Sequence, residues 1–252
     1  MRGAASVLAG LLAALMLAAC GTDPSARLVA VEAPAGSPTA TPTTTPTPTP
    51  KRALARATRA GATTTKPPAP VPAPAGWNVA PGGSGVVGSG RMFRYRVEVE
   101  PATGADPAAV AQVVDSTLAG SRGWTRDGNA FQRVSSGTVE MIVRLATPST
   151  VDRLCAAAGL RTNGEVSCRV GSQVVLNQVR WNSGVPAYAG DLGSYRILLI
   201  NHEVGHRLGN SGHPPCPGEG LPQPVMMQVF YTGLQGCAKN IWPYAEDGTR
   251  IG

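Results

Sequence analysis

All three histidines of the 252-residue chain fall in the stretch NHEVGHRLGNSGH, Asn201 to His213. On a helix, positions four apart share a face about 6 Å apart along the axis. His202 and His206 can therefore present two imidazoles to one cation. Zinc suits neutral imidazole, and a catalytic zinc takes three protein ligands with a fourth position open to water. Glu203, beside the first histidine, has the spacing of a general base acting on activated water. Gly209 follows where a left-handed residue stops a helix and turns the chain back, which makes His213 the natural third ligand. Convergence on a metal explains why so few histidines lie so close together; a solvated surface or an ordinary core does not.

The elements that must position these residues can be read from periodicity. In MFRYRVEVE, Met92 to Glu100, Phe93, Tyr95, Val97 and Val99 alternate as in a half-buried strand. Pro107 opens a helical run, PAAVAQVVDSTLAG, that Gly120 ends. AFQRVSS and TVEMIVRLAT read as two strands joined around Ser136 and Gly137. STVDRLCAAAG reads as a short helix capped by Ser149 or Thr150. EVSCRVG and SQVVLNQVRW read as a hairpin around Gly171. A glycine-containing loop then leads into SYRILLINHEVGHRLG, a helix with apolar positions at Leu198, Leu199, Val204 and Leu208 and a cap at Ser194 or Asp191. The tail after the methionine pair leaves room for a short irregular segment, with Trp242, Pro243 and Tyr244 expected against the core. Strand, helix, several strands and helix in this order make an α+β domain.

HEVGHRLG followed by a histidine, with PVMMQ later in the chain, resembles the metzincin clan of zinc metalloendopeptidases. The whole arrangement resembles a family of exported bacterial proteins of unknown function that carry a metzincin-like domain. The resemblance covers Met92 to Trp242 by element order and is specific over Asn201 to Gln228. It implies a zincin-like twisted mixed β-sheet with an active-site helix and a short irregular C-terminal subdomain. It implies Zn2+ held by His202, His206 and His213, Glu203 as general base, Gly209 ending the helix, and Met226 or Met227 as the methionine of a tight supporting turn. Metzincins leave two residues between the glycine and the third histidine, whereas Asn210, Ser211 and Gly212 make three here. Tyr231 does not match the spacing of the tyrosine that some metzincins add to the metal. The implied activity is hydrolysis of peptide bonds in a peptide or protein substrate of the cell envelope, the substrate strand pairing with an edge strand such as EVSCRVG. The alternatives are a catalytically degenerate zincin acting as a cell-envelope binding module, and a zinc amidase acting on peptidoglycan.

The remainder of the chain says where such a domain works. Residues 1–20 pair an arginine with an apolar run that ends in LAAC, as in a lipoprotein signal peptide whose lipobox cysteine, Cys20, is lipidated. Residues 21–76, rich in Pro, Thr and Ala, cannot bury enough apolar surface to offset their ordering entropy. They form a tether that reaches roughly 40 to 150 Å. Residues 77–252 form the folded domain, expected as a monomer held at the outer face of the cytoplasmic membrane through Cys20. Residues 1–75 hold seven Lys or Arg against two acids, and the rest hold fifteen against thirteen. The net charge of +7 thus belongs mainly to the tether, and nothing in it has the aromatic–basic interleaving of a nucleic-acid surface. Cys155, Cys168, Cys216 and Cys237 lack close metal-ligand spacing. In an exported chain they read as two disulfides, the sequential pairing closing the shortest loops.

Overall fold

The structure, a computed structural model, describes residues 76–251. The signal segment, Cys20 and the tether up to residue 75 lie outside the described residues. The first elements are β1 (Asn78–Val79), β2 (Val87–Gly88), β3 (Arg91–Val99), α1 (Pro107–Leu118), β4 (Asn129–Arg133), β5 (Met141–Ala146) and α2 (Pro148–Ala156). They are followed by β6 (Cys168–Val170), β7 (Gln173–Asn177), α3 (Gln178–Ser183), α4 (Leu192–Leu208) and α5 (Val229–Thr232). The domain is α+β, built on a mixed, twisted sheet in the order β2-β4-β3-β5-β7-β6. β1 takes the place beside β3 beyond the end of β4.

β4, β3, β5 and β7 run parallel, while β2 and the edge strand β6 pair antiparallel. The two strands expected to be joined around Ser136 and Gly137 are not neighbours: β3 lies between β4 and β5. The second hairpin does form, with β6 and β7 meeting across Gly171. Its return strand is shorter than expected, because the Asn177 side chain accepts from Val179 N at 2.8 Å and starts α3 there.

Period two sorts the side chains onto two faces. Phe93, Tyr95, Val97, Val143, Leu145, Val174 and Leu176 join α1 and α4 in the main core. The other face of β7 and β5 supplies Val175 and Ala146 to a smaller core with Val151 and Cys155 of α2. β3 was expected to be half-buried, yet it is covered on both faces. Arg96 and Glu98 are buried too, Glu98 accepting from Arg96 Nε at 2.7 Å and from Arg144 Nε at 2.8 Å. Two guanidinium groups on one carboxylate make that burial tolerable.

Capping also differs from expectation at α2. Thr147 is the N-cap and Pro148, lacking an N–H, takes the first helical position. Ser149 and Thr150 lie inside the first turn. Glu100, at the end of β3, serves this helix start from outside. Its carboxylate accepts from Thr147 N at 2.7 Å, Thr147 Oγ1 at 2.8 Å and Thr150 Oγ1 at 2.7 Å. Two disulfides complete the frame: Cys155–Cys168 ties α2 to β6, and Cys216–Cys237 ties the segment after His213 to the tail. Pro243 is buried and Trp242 and Tyr244 are half-buried, Tyr244 bonding its hydroxyl to Asp127. Among the described residues no helix is long and apolar enough to cross a membrane.

Candidate metal centre

α4 starts where the Asp191 side chain accepts from Ser194 N at 3.1 Å. Tyr195, Leu198, Leu199, Ile200 and Val204 are buried along it and fasten the helix to the sheet. That anchoring turns His202 and His206 toward a common cavity, their ring centroids 4.8 Å apart.

Hydrogen bonding decides which nitrogen of each ring is free. His202 Nδ1 lies 3.0 Å from Val225 O, and His206 Nδ1 lies 2.7 Å from Asn210 O. A carbonyl can only accept, so both Nδ1 atoms carry the proton and both Nε2 atoms keep a lone pair. His213 Nε2 is 3.1 Å from His206 Nε2, and the potential ligand atoms of the three histidines all lie within 4.8 Å of one another. Two nitrogens each about 2.0–2.1 Å from one tetrahedral ion would stand about 3.3–3.4 Å apart, so the spacing suits a shared cation. Protonation is disfavoured throughout. Burial, then the neighbouring His206, pushes His202 down to about 3, and burial also lowers His206 and His213. Neutral imidazoles with converging lone pairs are the donor set that zinc takes.

The three-residue spacer still delivers His213. Gly209 ends α4 with φ 110°, its N–H returning to the last turn, and Asn210 N donates to Gly205 O at 3.0 Å. Asn210 then has two further roles that sequence reading missed. Its carbonyl orients His206, and its Oδ1 accepts from Arg250 Nη2 at 3.1 Å. Arg250 also pairs with Asp127 at 3.2 Å, so the tail braces the loop between the second and third histidines. The Gln228 amide sits 3.4 Å from His213 Nε2.

Below the cluster, Pro224 to Met227 make a tight turn closed by Met227 N donating to Pro224 O at 2.9 Å. Both methionines are buried, but they do different things. Met227 lines the cavity. Met226 packs under α4 at Gly205, where a Cβ would lie 2.5 Å from its Sδ and 2.8 Å from Trp124 Cζ2. The glycine inside HEVGH is therefore a close-packing position.

Glu203 lines the same cavity at 5% exposure, and its Oε2 has no hydrogen-bond partner. Burial pushes its carboxyl up to about 8. The cavity, about 390 Å³, runs from the histidines between β6 on one side and Met227 to Tyr231 on the other. Tyr231 is exposed on its rim, outside the histidine cluster.

Fold and site together define an α+β domain that carries a three-histidine cluster and a buried carboxyl at the end of a core helix. The chain belongs to the family described as "Protein of unknown function (DUF3152)", whose model matches residues 65–233. No curated protein and no solved structure matches it. The matched stretch holds the histidines, Glu203 and the methionine pair, and stops before Cys237 and Arg250.

Proposed function

We propose that residues 77–252 are a zinc-dependent metallopeptidase of the metzincin type, exported and anchored through lipidated Cys20. The observation that carries this reading is the convergence of three imidazoles beside a buried carboxyl oxygen that has no partner of its own. His202, His206 and His213 would hold the ion. Zinc bound there supplies a Lewis acid that polarises a carbonyl and makes water a usable nucleophile near neutral pH.

The chain's own residues account for the rest. Val225 O and Asn210 O hold two rings in the tautomer that leaves Nε2 free, before any ligand arrives. Glu203 Oε2 accepts the proton of the attacking water and returns it to the departing amine nitrogen. Burial alone holds that carboxyl at about 8, mostly protonated at neutral pH; the positive charge of a bound cation would bring it down to where it can accept a proton and give it back. The free edge of β6 offers main-chain groups to an extended peptide along the cavity. The spacer Asn210–Gly212, which by itself favours a non-catalytic binding module, is also compatible with a third ligand, since His213 Nε2 stands 3.1 Å from His206 Nε2.

The test is metal content and cleavage measured on the same preparation of the full chain. Wild type is expected to take up one zinc and cut an unspecific peptide library, and Glu203→Gln to keep the zinc and lose the cutting. Absence of zinc uptake would remove the metal centre. Undiminished cleavage by Glu203→Gln would remove the base, and release of wall fragments without cleavage of peptides would favour the amidase.

A further inference from the structure

We propose that the cavity beside the histidines receives an acidic stretch of polypeptide, with one Asp or Glu carboxylate bound by Arg180 and flanking acids met by Arg161 and Arg169. The proposal rests on the peptidase reading of the same cleft. Three arginines line the cavity, and Glu203, already assigned to the chemistry, is the one acid among the lining residues. The domain as a whole is nearly balanced, fifteen basic residues against thirteen acids from residue 76 onward. Positive charge is thus gathered at this cleft.

None of these three arginines forms an ion pair among the described residues, whereas Arg96, Arg133, Arg144 and Arg250 all do. Arg180 is the most telling. It is half-buried, its Nη1 donates to Gly184 O at 3.0 Å, and its guanidinium lies 4.7 Å from the centre of the Phe230 ring. Its Nε is shut off from solvent and has no partner. A guanidinium fixed by one carbonyl and one aromatic face, with donors left over, is prepared for a carboxylate.

The other two arginines are held on an ordered wall. Arg169 is in β6, immediately after the disulfide-bonded Cys168. Arg161 belongs to the loop between α2 and β6. There the Asp152 carboxylate accepts from Gly164 N at 2.7 Å and from the Thr162 hydroxyl, and Asn177 Nδ2 donates to Gly164 O at 3.0 Å. Leu198, Leu199 and Val229 complete an apolar lining that suits the methylenes of an acidic side chain better than a polysaccharide.

Binding tests this without depending on turnover. Fluorescent peptides of one length, carrying Asp and Glu or their Asn and Gln isosteres, are titrated by anisotropy into full-chain Glu203→Gln at low and high salt. Acidic peptides are expected to bind about tenfold or more tightly, with the preference shrinking as salt rises. Arg161→Gln/Arg169→Gln, both at exposed sites, is expected to reduce the preference with an unchanged melting temperature, and Arg180→Met, which keeps the packing stem but loses the bond to Gly184 O, to reduce it with a melting temperature lowered by only a few degrees. Equal affinity for both peptide sets, a preference untouched by the arginine variants, or tighter binding of wall fragments would overturn the proposal. Wild-type cleavage is scored separately. Cleavage without acidic preference sinks this inference alone; acidic binding without cleavage sinks the peptidase reading and leaves the binding site standing.

Discussion

Gly205→Ala sets two effects of known size against each other. Alanine is favoured over glycine in a helix interior by about 1 kcal/mol, so on propensity alone the change stabilises α4. The new Cβ, however, would stand 2.5 Å from Met226 Sδ and 2.8 Å from Trp124 Cζ2, well inside the roughly 3.5–4.0 Å of ordinary contact. Met226 can move, because a thioether chain has three rotatable bonds. Trp124 has no such freedom: it is fully buried, and its Nε1 donates to Asn201 O at 3.0 Å on the same helix. Overpacking of this kind costs about 1–3 kcal/mol, and loss of the indole bond adds about 0.5–1.5 kcal/mol. The steric effect wins, for a net loss of about 0.5–3.5 kcal/mol. In a domain of this size that lowers Tm by roughly 1–14 °C. Thermal unfolding followed by circular dichroism reads the shift, with tryptophan fluorescence reporting on the indole. Met226→Ala opens a cavity that itself costs about 2–5 kcal/mol, so the comparison is made in that background: Gly205→Ala should still lower Tm there, by less than in wild type, since the ring contact remains. An unchanged or raised Tm for Gly205→Ala in wild type would refute the reasoning, and a change without effect in the Met226→Ala background would move the clash from Trp124 to Met226.

Glu98→Ala leaves Arg96 and Arg144 facing each other in the sheet without their carboxylate. Denaturant titration should show a loss of about 3–5 kcal/mol. Glu100 gives a pH-dependent contribution. Burial pushes its carboxyl up, but bonds from Thr150 and Thr147 and the charge of Arg153 outweigh that and leave it below the ordinary 4.5. A lowered folded-state value means stability that is fully present above about pH 4.5 and is lost as pH falls through the folded-state pKa. The stability gap between wild type and Glu100→Gln, measured by urea titration, should therefore close on the acid side and stay constant from pH 6 upward. Arg250→Ala removes the brace on Asn210; competition with a chromophoric chelator should show zinc affinity reduced several-fold, less than the roughly 10–100-fold typical of groups bonded directly to a ligand, with Tm nearly unchanged.

What sequence determined about this protein is what a local period or a short spacing encodes. Four-residue separation places His202 and His206 on one helical face, Gly209 stops that helix, alternation marks β3, and cysteine order yields both disulfides. Tertiary structure decided everything that depends on partners distant in the chain. The carbonyl that orients His202 belongs to Val225, and a main-chain oxygen has no signature in sequence. Glu100 caps a helix 47 residues away, which displaces the local caps Ser149 and Thr150. Arg96, Glu98 and Arg144 alternate with the core positions of two strands, and sequence does not show that Trp77, its ring centre 4.6 Å from the Arg144 guanidinium, and Gly137, whose carbonyl accepts from Arg96 Nη1, lie against them. Gly205 shows the same division: a propensity scale scores it as a weak helix residue, and only the approach of Met226 and Trp124 reveals why a side chain has no room there.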